Sequence, residues 1–387
     1  MDFDLYWLLL ALPLAFLAGW LASRMDLRQL KRTERASPQA YFKGLNLLLN
    51  EQQDKAIDAF IEAVQHDPDT SDLHFALGNL FRRRGEYERA IRVHQHLLGR
   101  ADLPRDERER AQHALAQDFM KAGLFDRAEE AYQALDGTAF ATDARLALLS
   151  LHERSRNWRP AIEVARQLEQ AGTGSFAQRI AHHWCEIAHE ADARGHAEEA
   201  DVALQRAREA APQAARPLVM QGQRLARAGA NDQALAAWDD LMARQPQAFA
   251  LIAAEYARCA QALGEACAHQ ALLKLQRLYD QVPSIDVLQA LNTLQPDADA
   301  RRKALLTHIG SQPSLTAAQG LIRERLVTHN PMSEPEIELV QKAMVTASRP
   351  LQRYRCAACG FESQHYFWQC PGCQGWDTYP TRRLEEQ

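Results

Sequence analysis

The chain has 387 residues, with 45 Lys and Arg against 50 Asp and Glu, a formal net charge of -5, and 47% apolar residues. That balance excludes a disordered polyelectrolyte and a general nucleic-acid binder, which needs a basic surface to displace counterions. The length exceeds one ordinary domain, and 18 Gly with 16 Pro are too few for a turn-rich all-β fold or for low-complexity sequence.

The first element is membranous. Leu5 to Ala22 is a run of 18 residues without a charge, and as a helix it rises about 27 Å, close to the hydrocarbon thickness of a bilayer. Trp7 and Trp20 stand near its ends, where indoles favour the interface, and Pro13 is tolerable inside such a helix. Asp2 and Asp4 precede the run, and Arg24, Arg28, Lys31, Arg32 and Arg35 follow it. Positive charge stays inside, so residues 1–22 read as a single-pass inner-membrane anchor, residues 23–36 as a basic linker, and the body as cytoplasmic. A cleaved signal peptide normally begins with a basic region, and this one is acidic.

The body reads as an all-α repeat array. Gly44, Ala56, Phe60, Ala63 and Pro68 fall at positions 8, 20, 24, 27 and 32 of a 34-residue unit, the offsets of the tetratricopeptide repeat. The next unit repeats them as Gly78, Ala90 and Leu97. The small residue at position 20 recurs as Ala56, Ala90, Ala128, Ala161, Ala200, Ala234 and Ala268, at spacings of 34, 38, 33, 39, 34 and 34. Each unit is then two antiparallel helices. The small Ala lets them approach, Gly44, Gly78 and Gly222 do the same on the first helix, and Pro68, Pro212 and Pro246 end the second. Only stacking buries the apolar faces, so residues 37–345 form one tetratricopeptide solenoid, with Pro313 in a last degenerate unit. First helices line its inner face. There, positions 9, 12 and 13 supply Asn79, Arg82 and Arg83 in the second unit and Gln117, Met120 and Lys121 in the third, a set loosely like the basic groove that holds an acidic chain end. Tyr41, Leu45, Leu48 and Leu49 give the first unit an apolar face suited to a partner or to the juxtamembrane segment.

Four of the seven Cys close the chain: Cys356, Cys359, Cys370 and Cys373 form C-x2-C-x10-C-x2-C. Two tight turns facing one another give tetrahedral thiolate geometry for one iron or zinc ion. Gly360, Gly372 and Gly375 can take the positive φ that such knuckles need. Phe361, Tyr366, Phe367, Trp368, Trp376 and Tyr379 are expected to shield the ion. The knuckles resemble rubredoxin and zinc ribbons with a shortened spacer. A structural metal holding residues 350–385 together is therefore expected before electron transfer. His182, His183, Cys185 and His189 crowd one predicted helix without a metal-site motif and read as packing or surface; Cys259 and Cys267 read as small buried residues, and His365 could replace a Cys, but four Cys suffice. No P-loop, nucleophile elbow or dinucleotide fingerprint is present.

Anchor, repeat array and C-terminal knuckle, in that order, resemble the lipopolysaccharide assembly protein B family of Gram-negative bacteria. The resemblance implies a non-enzymatic adaptor at the inner membrane. It would promote destruction of the deacetylase that commits precursors to lipid A, through the membrane protease of the FtsH type, and would answer to an inner-membrane protein that senses lipopolysaccharide. The family's metal ligands fall on Cys356, Cys359, Cys370 and Cys373. Repeats and anchor both permit a homodimer. Two other readings stand beside it: a rubredoxin-type electron carrier, and a membrane-tethered scaffold with other envelope-assembly partners.

Overall fold

The computed structural model describes residue 16 and residues 42–47, 49–50, 52–312, 314–328 and 334–386. The apolar run Leu5–Ala22, apart from Phe16, lies outside these residues, as do the basic linker, Tyr41, Leu48 and Pro313. Among the described residues no helix is long and apolar enough to cross a membrane.

The chain divides into two compact units that part between Thr173 and Gly174. In the first, helical residues 42–47 precede α1 (Gln53–His66), α2 (Ser71–Arg84), α3 (Tyr87–Gly99), α4 (Arg105–Ala122), α5 (Phe125–Gln133), α6 (Ala141–Arg154) and α7 (Trp158–Gln170). In the second lie α8 (Ala177–Ala193), α9 (Ala197–Ala210), α10 (Ala215–Arg227) and α11 (Asn231–Arg244). A 3-10 turn, Pro246–Leu251, leads to α12 (Ala253–Ala262), α13 (Glu265–Gln281), α14 (Ile285–Leu294), α15 (Ala298–Ser311), α16 (Leu315–Thr328) and α17 (Glu334–Ser348). The chain then leaves helix for β1 (Tyr354–Arg355) and β2 (Glu362–Ser363), paired antiparallel with Tyr354 opposite Ser363.

The expected alanine ladder is the seam of the helix pairs. Ala56, Ala90, Ala128, Ala161, Ala200 and Ala234 are all fully buried. The seventh unit departs from the pattern: Ala268 is only partly covered, and Ala271, one turn further along α13, takes the buried place. The long α13 follows an irregular first helix, the 3-10 turn and α12 together, so the 34-residue phase slips there.

Size complementarity fixes the closest approaches. A Cβ on Gly44 would stand 2.8 Å from the ring of Phe60, one on Gly78 2.5 Å from His94, and one on Gly222 2.2 Å from the indole nitrogen of Trp238. Each pair joins position 8 of a first helix to position 24 of its partner. The third unit has Ala116 and Tyr132 at these positions, and the fourth exchanges the sizes, with Leu149 and Ala165 both fully buried. Volume is conserved across the pair rather than at either residue, as dense packing requires. As expected, α1, α9 and α11 stop just before Pro68, Pro212 and Pro246.

Candidate metal centre and repeat face

The two knuckles are copies of one another, 14 residues apart. Cys356 N–H donates to Phe361 O at 2.9 Å and Gly360 N–H to Cys356 O at 2.9 Å; Cys370 N–H donates to Gly375 O at 2.9 Å and Gln374 N–H to Cys370 O at 2.7 Å. The left-handed residue of each is Gly360 (φ 76°) and Gln374 (φ 58°). Gly372 and Gly375 were expected to share that role and do not. They are needed for space, since a Cβ on Gly375 would stand 2.7 Å from Thr378 and one on Gly372 3.3 Å from Phe361.

This geometry gathers the four sulfurs within 4.8 Å of one another. Cys356 and Cys373 Sγ are 3.8 Å apart, and Cys359 and Cys370 Sγ 3.7 Å apart. A tetrahedral ion with metal–sulfur bonds of about 2.3 Å requires sulfur–sulfur edges of about 3.8 Å, so the residues present fit such an ion. Burial opposes ionisation of Cys356, but hydrogen bonds from Thr378 and the backbone of Cys359 and Ala358 outweigh it and bring the thiol down to about 6, ready for a soft cation. Cys356 and Cys370 are buried, while Cys359 and Cys373 face solvent. Among the described residues this is the one His, Cys, Asp and Glu cluster with metal-site geometry, and His365 is outside it.

The aromatic shell is smaller than expected. Tyr354, Tyr366, Phe367 and Tyr379 pack around Cys356 and Cys370, together with Leu251 of the 3-10 turn. Phe361 is exposed, and both tryptophans turn away toward the helices. Trp376 stacks on His182 of α8, with centroids 4.8 Å apart, and Trp368 lies 5.9 Å from the same ring. His182 Nε2 meets Asp377 Oδ2 at 2.7 Å. Arg216 of α10, one repeat beyond His182, is buried near both indoles, with its Nη2 donating to Glu186 at 2.6 Å. The sequence leaves His182 between packing and surface and does not name its partner Asp377, which lies 195 residues away.

The tail locks the other side of the domain. Arg383 donates twice to Asp286 of α14, at 2.9 Å each, and once to Gln352 O at 2.8 Å. Glu386 accepts from the Ile285 N–H at 2.6 Å, the start of α14. Glu385 accepts from the hydroxyls of Ser314 and Thr316 at the start of α16. Two adjacent carboxylates thus serve the N-termini of two helices, where free N–H groups and the helix dipole favour them.

The polar residues expected to meet a partner on the second and third repeats divide in two. Arg82 Nη1 donates to Asp118 Oδ1 at 2.8 Å and to Ala114 O at 3.1 Å, and Nη2 to Asn79 Oδ1 at 2.5 Å. Asp118 is fully buried, and its other oxygen meets His94 Nδ1 at 2.5 Å. Arg82 and Asn79 therefore neutralise and cover a buried acid. Gln117 turns its amide toward His113 at 3.4 Å, and Arg83 and Lys121 stay exposed. Asp118 was the missed residue; its signal is a lone acid in the apolar stretch ALAQDF.

Helix pairs stacked on small residues, with a four-cysteine site docked against them, define a tetratricopeptide-type repeat protein with a zinc-ribbon-type metal site. A family model described as rubredoxin metal binding domain matches residues 354–379. The chain is 31% identical over 385 residues to lipopolysaccharide assembly protein B of Escherichia coli strain K12, covering 98% of each, and 26% identical over 388 residues to the protein of that name from Haemophilus influenzae, covering 96% of each. Among solved structures, a tetratricopeptide repeat protein from Parabacteroides merdae is similar at 14% identity and a TM-score of 0.34, over 67% of this chain and 99% of that one. The chain belongs to the lipopolysaccharide assembly protein B family.

Proposed function

We propose that this protein is a non-enzymatic adaptor in lipopolysaccharide synthesis, tethered to the inner membrane by residues 5–22 with its body in the cytoplasm. The observation that carries the reading is family membership over nearly the whole chain, joined to a fold whose stacked helix faces suit protein recognition. The partners the family resemblance implies are the FtsH-type protease, the lipid A-committing deacetylase and an inner-membrane lipopolysaccharide sensor. A shared membrane raises the effective concentration of protease and substrate for each other without any new contact. Cys356, Cys359, Cys370 and Cys373 would hold one iron or zinc ion, which supplies cross-linking of the two knuckles. The chain's own residues then set the domain against the helices through Trp376, Asp377 and Arg383. Arg83 and Lys121, which are exposed, are the cations of the expected groove that remain open to a partner.

The test is affinity capture from crosslinked membranes, comparing the full chain with a variant lacking residues 1–22. Recovery of the protease and the deacetylase with the full chain, and their loss with the truncated one, is expected. Capture of neither, or full cellular activity of the truncation, overturns the reading. One observation favours a second reading: two of the four ligands, Cys359 and Cys373, are open to solvent, where an electron could enter. A red protein that bleaches reversibly by one electron would favour that carrier role; a colourless zinc form counts against it.

A further inference from the structure

In a repeat array each repeat packs only on its neighbours, so curvature is the sum of small rotations from one repeat to the next. Within the second unit, the first elements of five consecutive repeats are α8, α10, the 3-10 turn with α12, α14 and α16. Residues 350–386 reach every one of them. Trp376 and Asp377 hold His182 of α8, and both indoles lie beside Arg216 of α10. Leu251 of the 3-10 turn packs among Tyr354, Cys356 and Cys370. Arg383 and Glu386 take the first turn of α14 through Asp286 and the Ile285 N–H, and Glu385 takes Ser314 and Thr316 at the start of α16.

The polar contacts fall on two arms. One arm is the loop beyond Cys373, where Asp377 N–H donates to Trp368 O at 2.9 Å, and it holds α8 and α10. The other is the tail, where Leu384 N–H donates to Arg353 O at 2.9 Å and Glu385 N–H to Leu351 O at 3.1 Å, and it holds α14 and α16. Between the arms stand the two short strands and the four sulfurs, drawn within 4.8 Å of one another. A segment of fewer than about 40 residues seldom has core enough to be stiff without a metal or a disulfide. The ion that Cys356, Cys359, Cys370 and Cys373 would hold therefore makes the link between the arms rigid. Because Glu385 and Glu386 are adjacent, α14 and α16 cannot rotate apart without breaking one of the two caps.

We infer that residues 350–386 form a brace that sets the curvature of the second unit, rigid with the ion bound and slack without it. Local stacking alone cannot supply this restraint, since the brace ties repeats that are not neighbours. In the adaptor reading proposed above, on which this consequence alone rests, metal supply then regulates how the inner face of these repeats fits a partner.

The test is a distance within the chain. The full-length protein in detergent micelles carries two nitroxides on p-acetylphenylalanine, which spares the cysteines, at the exposed positions Gln178 of α8 and Arg323 of α16. It is diluted with unlabelled chain and read by pulsed electron spin resonance. Stripping the ion with a chelator under reductant should move and broaden the α8–α16 distance while circular dichroism keeps its helical signal, and restoring zinc should reverse the change. The Glu385→Ala, Glu386→Ala double variant keeps all four ligands and should shift the same distance with one equivalent of metal still bound. An unchanged distance in the stripped protein or in the double variant overturns the brace. Loss of the helical signal on stripping overturns it as well, since the segment would then be needed to fold the repeats rather than to curve them. No partner enters the measurement, so its failure leaves the adaptor reading standing.

Discussion

His182 and Trp376 lie face to face, 16° from parallel, although 194 positions separate them in the chain. Trp376 sits three residues after Cys373, so the loop that presents a metal ligand also presents the ring that grips α8. Replacing Trp376 by Ala should cost about 1–3 kcal/mol, because a partly buried ring and its stacking are lost together. Urea unfolding and the rate of metal release to a chelator measure this. If both stay unchanged, the stack is incidental.

The metal makes its own prediction. Cys370→Ser removes a buried ligand, and the remaining three thiolates should lose most of their affinity. Elemental analysis should find less than one ion per chain, and the 350–386 segment should become sensitive to protease while the helices keep their circular dichroism. A variant that retains a full equivalent of metal would refute the four-thiolate assignment.

At Gly222 the argument is steric. An added methyl would stand 2.2 Å from the Trp238 indole, which is fully buried and cannot swing away. Gly222→Ala should destabilise the second unit by about 1–3 kcal/mol, although Ala is ordinarily the better helix former. Gly222→Ala combined with Trp238→Leu should recover part of the loss. A stabilised single variant would mean that the helices separate freely.

Stability should fall in mild acid. Burial lowers the pKa of His113, His152, His182 and His308 from the ordinary 6.5. The unfolded chain therefore takes up protons below about 6.5 that the folded chain refuses, so stability is full above that pH and declines as pH drops through it. His308, fully buried with Nδ1 at 2.6 Å from the Tyr279 hydroxyl, isolates one contribution. His308→Gln should show a shallower decline between pH 7 and 5.5 than the parent protein, since acid release of metal is common to both. Parallel curves would remove His308 from the account.

Arg383 joins three segments: its own tail, Gln352 and Asp286. With both partners partly shielded from water, Arg383→Ala should cost about 1–2 kcal/mol, less than a fully buried pair. The midpoint of thermal unfolding measures it, and Arg383→Lys, which cannot make the forked contact, should recover little.

What could be read in advance was what repeats. A buried alanine every 33 to 39 residues, a proline after a second helix and paired cysteines are local or periodic, and each declares itself without its neighbours. Pairwise facts were hidden. Nothing around Arg82 states that it is spent on Asp118, and nothing around Glu385 and Glu386 states that they serve helices some 70 and 100 residues earlier. The left-handed turn at Gln374 was concealed because glycines stand on either side, at 372 and 375, and the fold uses them for clearance instead.

The exchange of bulk between facing positions, glycine under Trp238 but leucine above Ala165, bears on how such an array can change over generations. Growth at residue 78 or 222 must wait for shrinkage at 94 or 238, so neighbouring substitutions arrive as matched sets. Individual units can then drift far from any consensus motif while the stack that they build keeps its spacing.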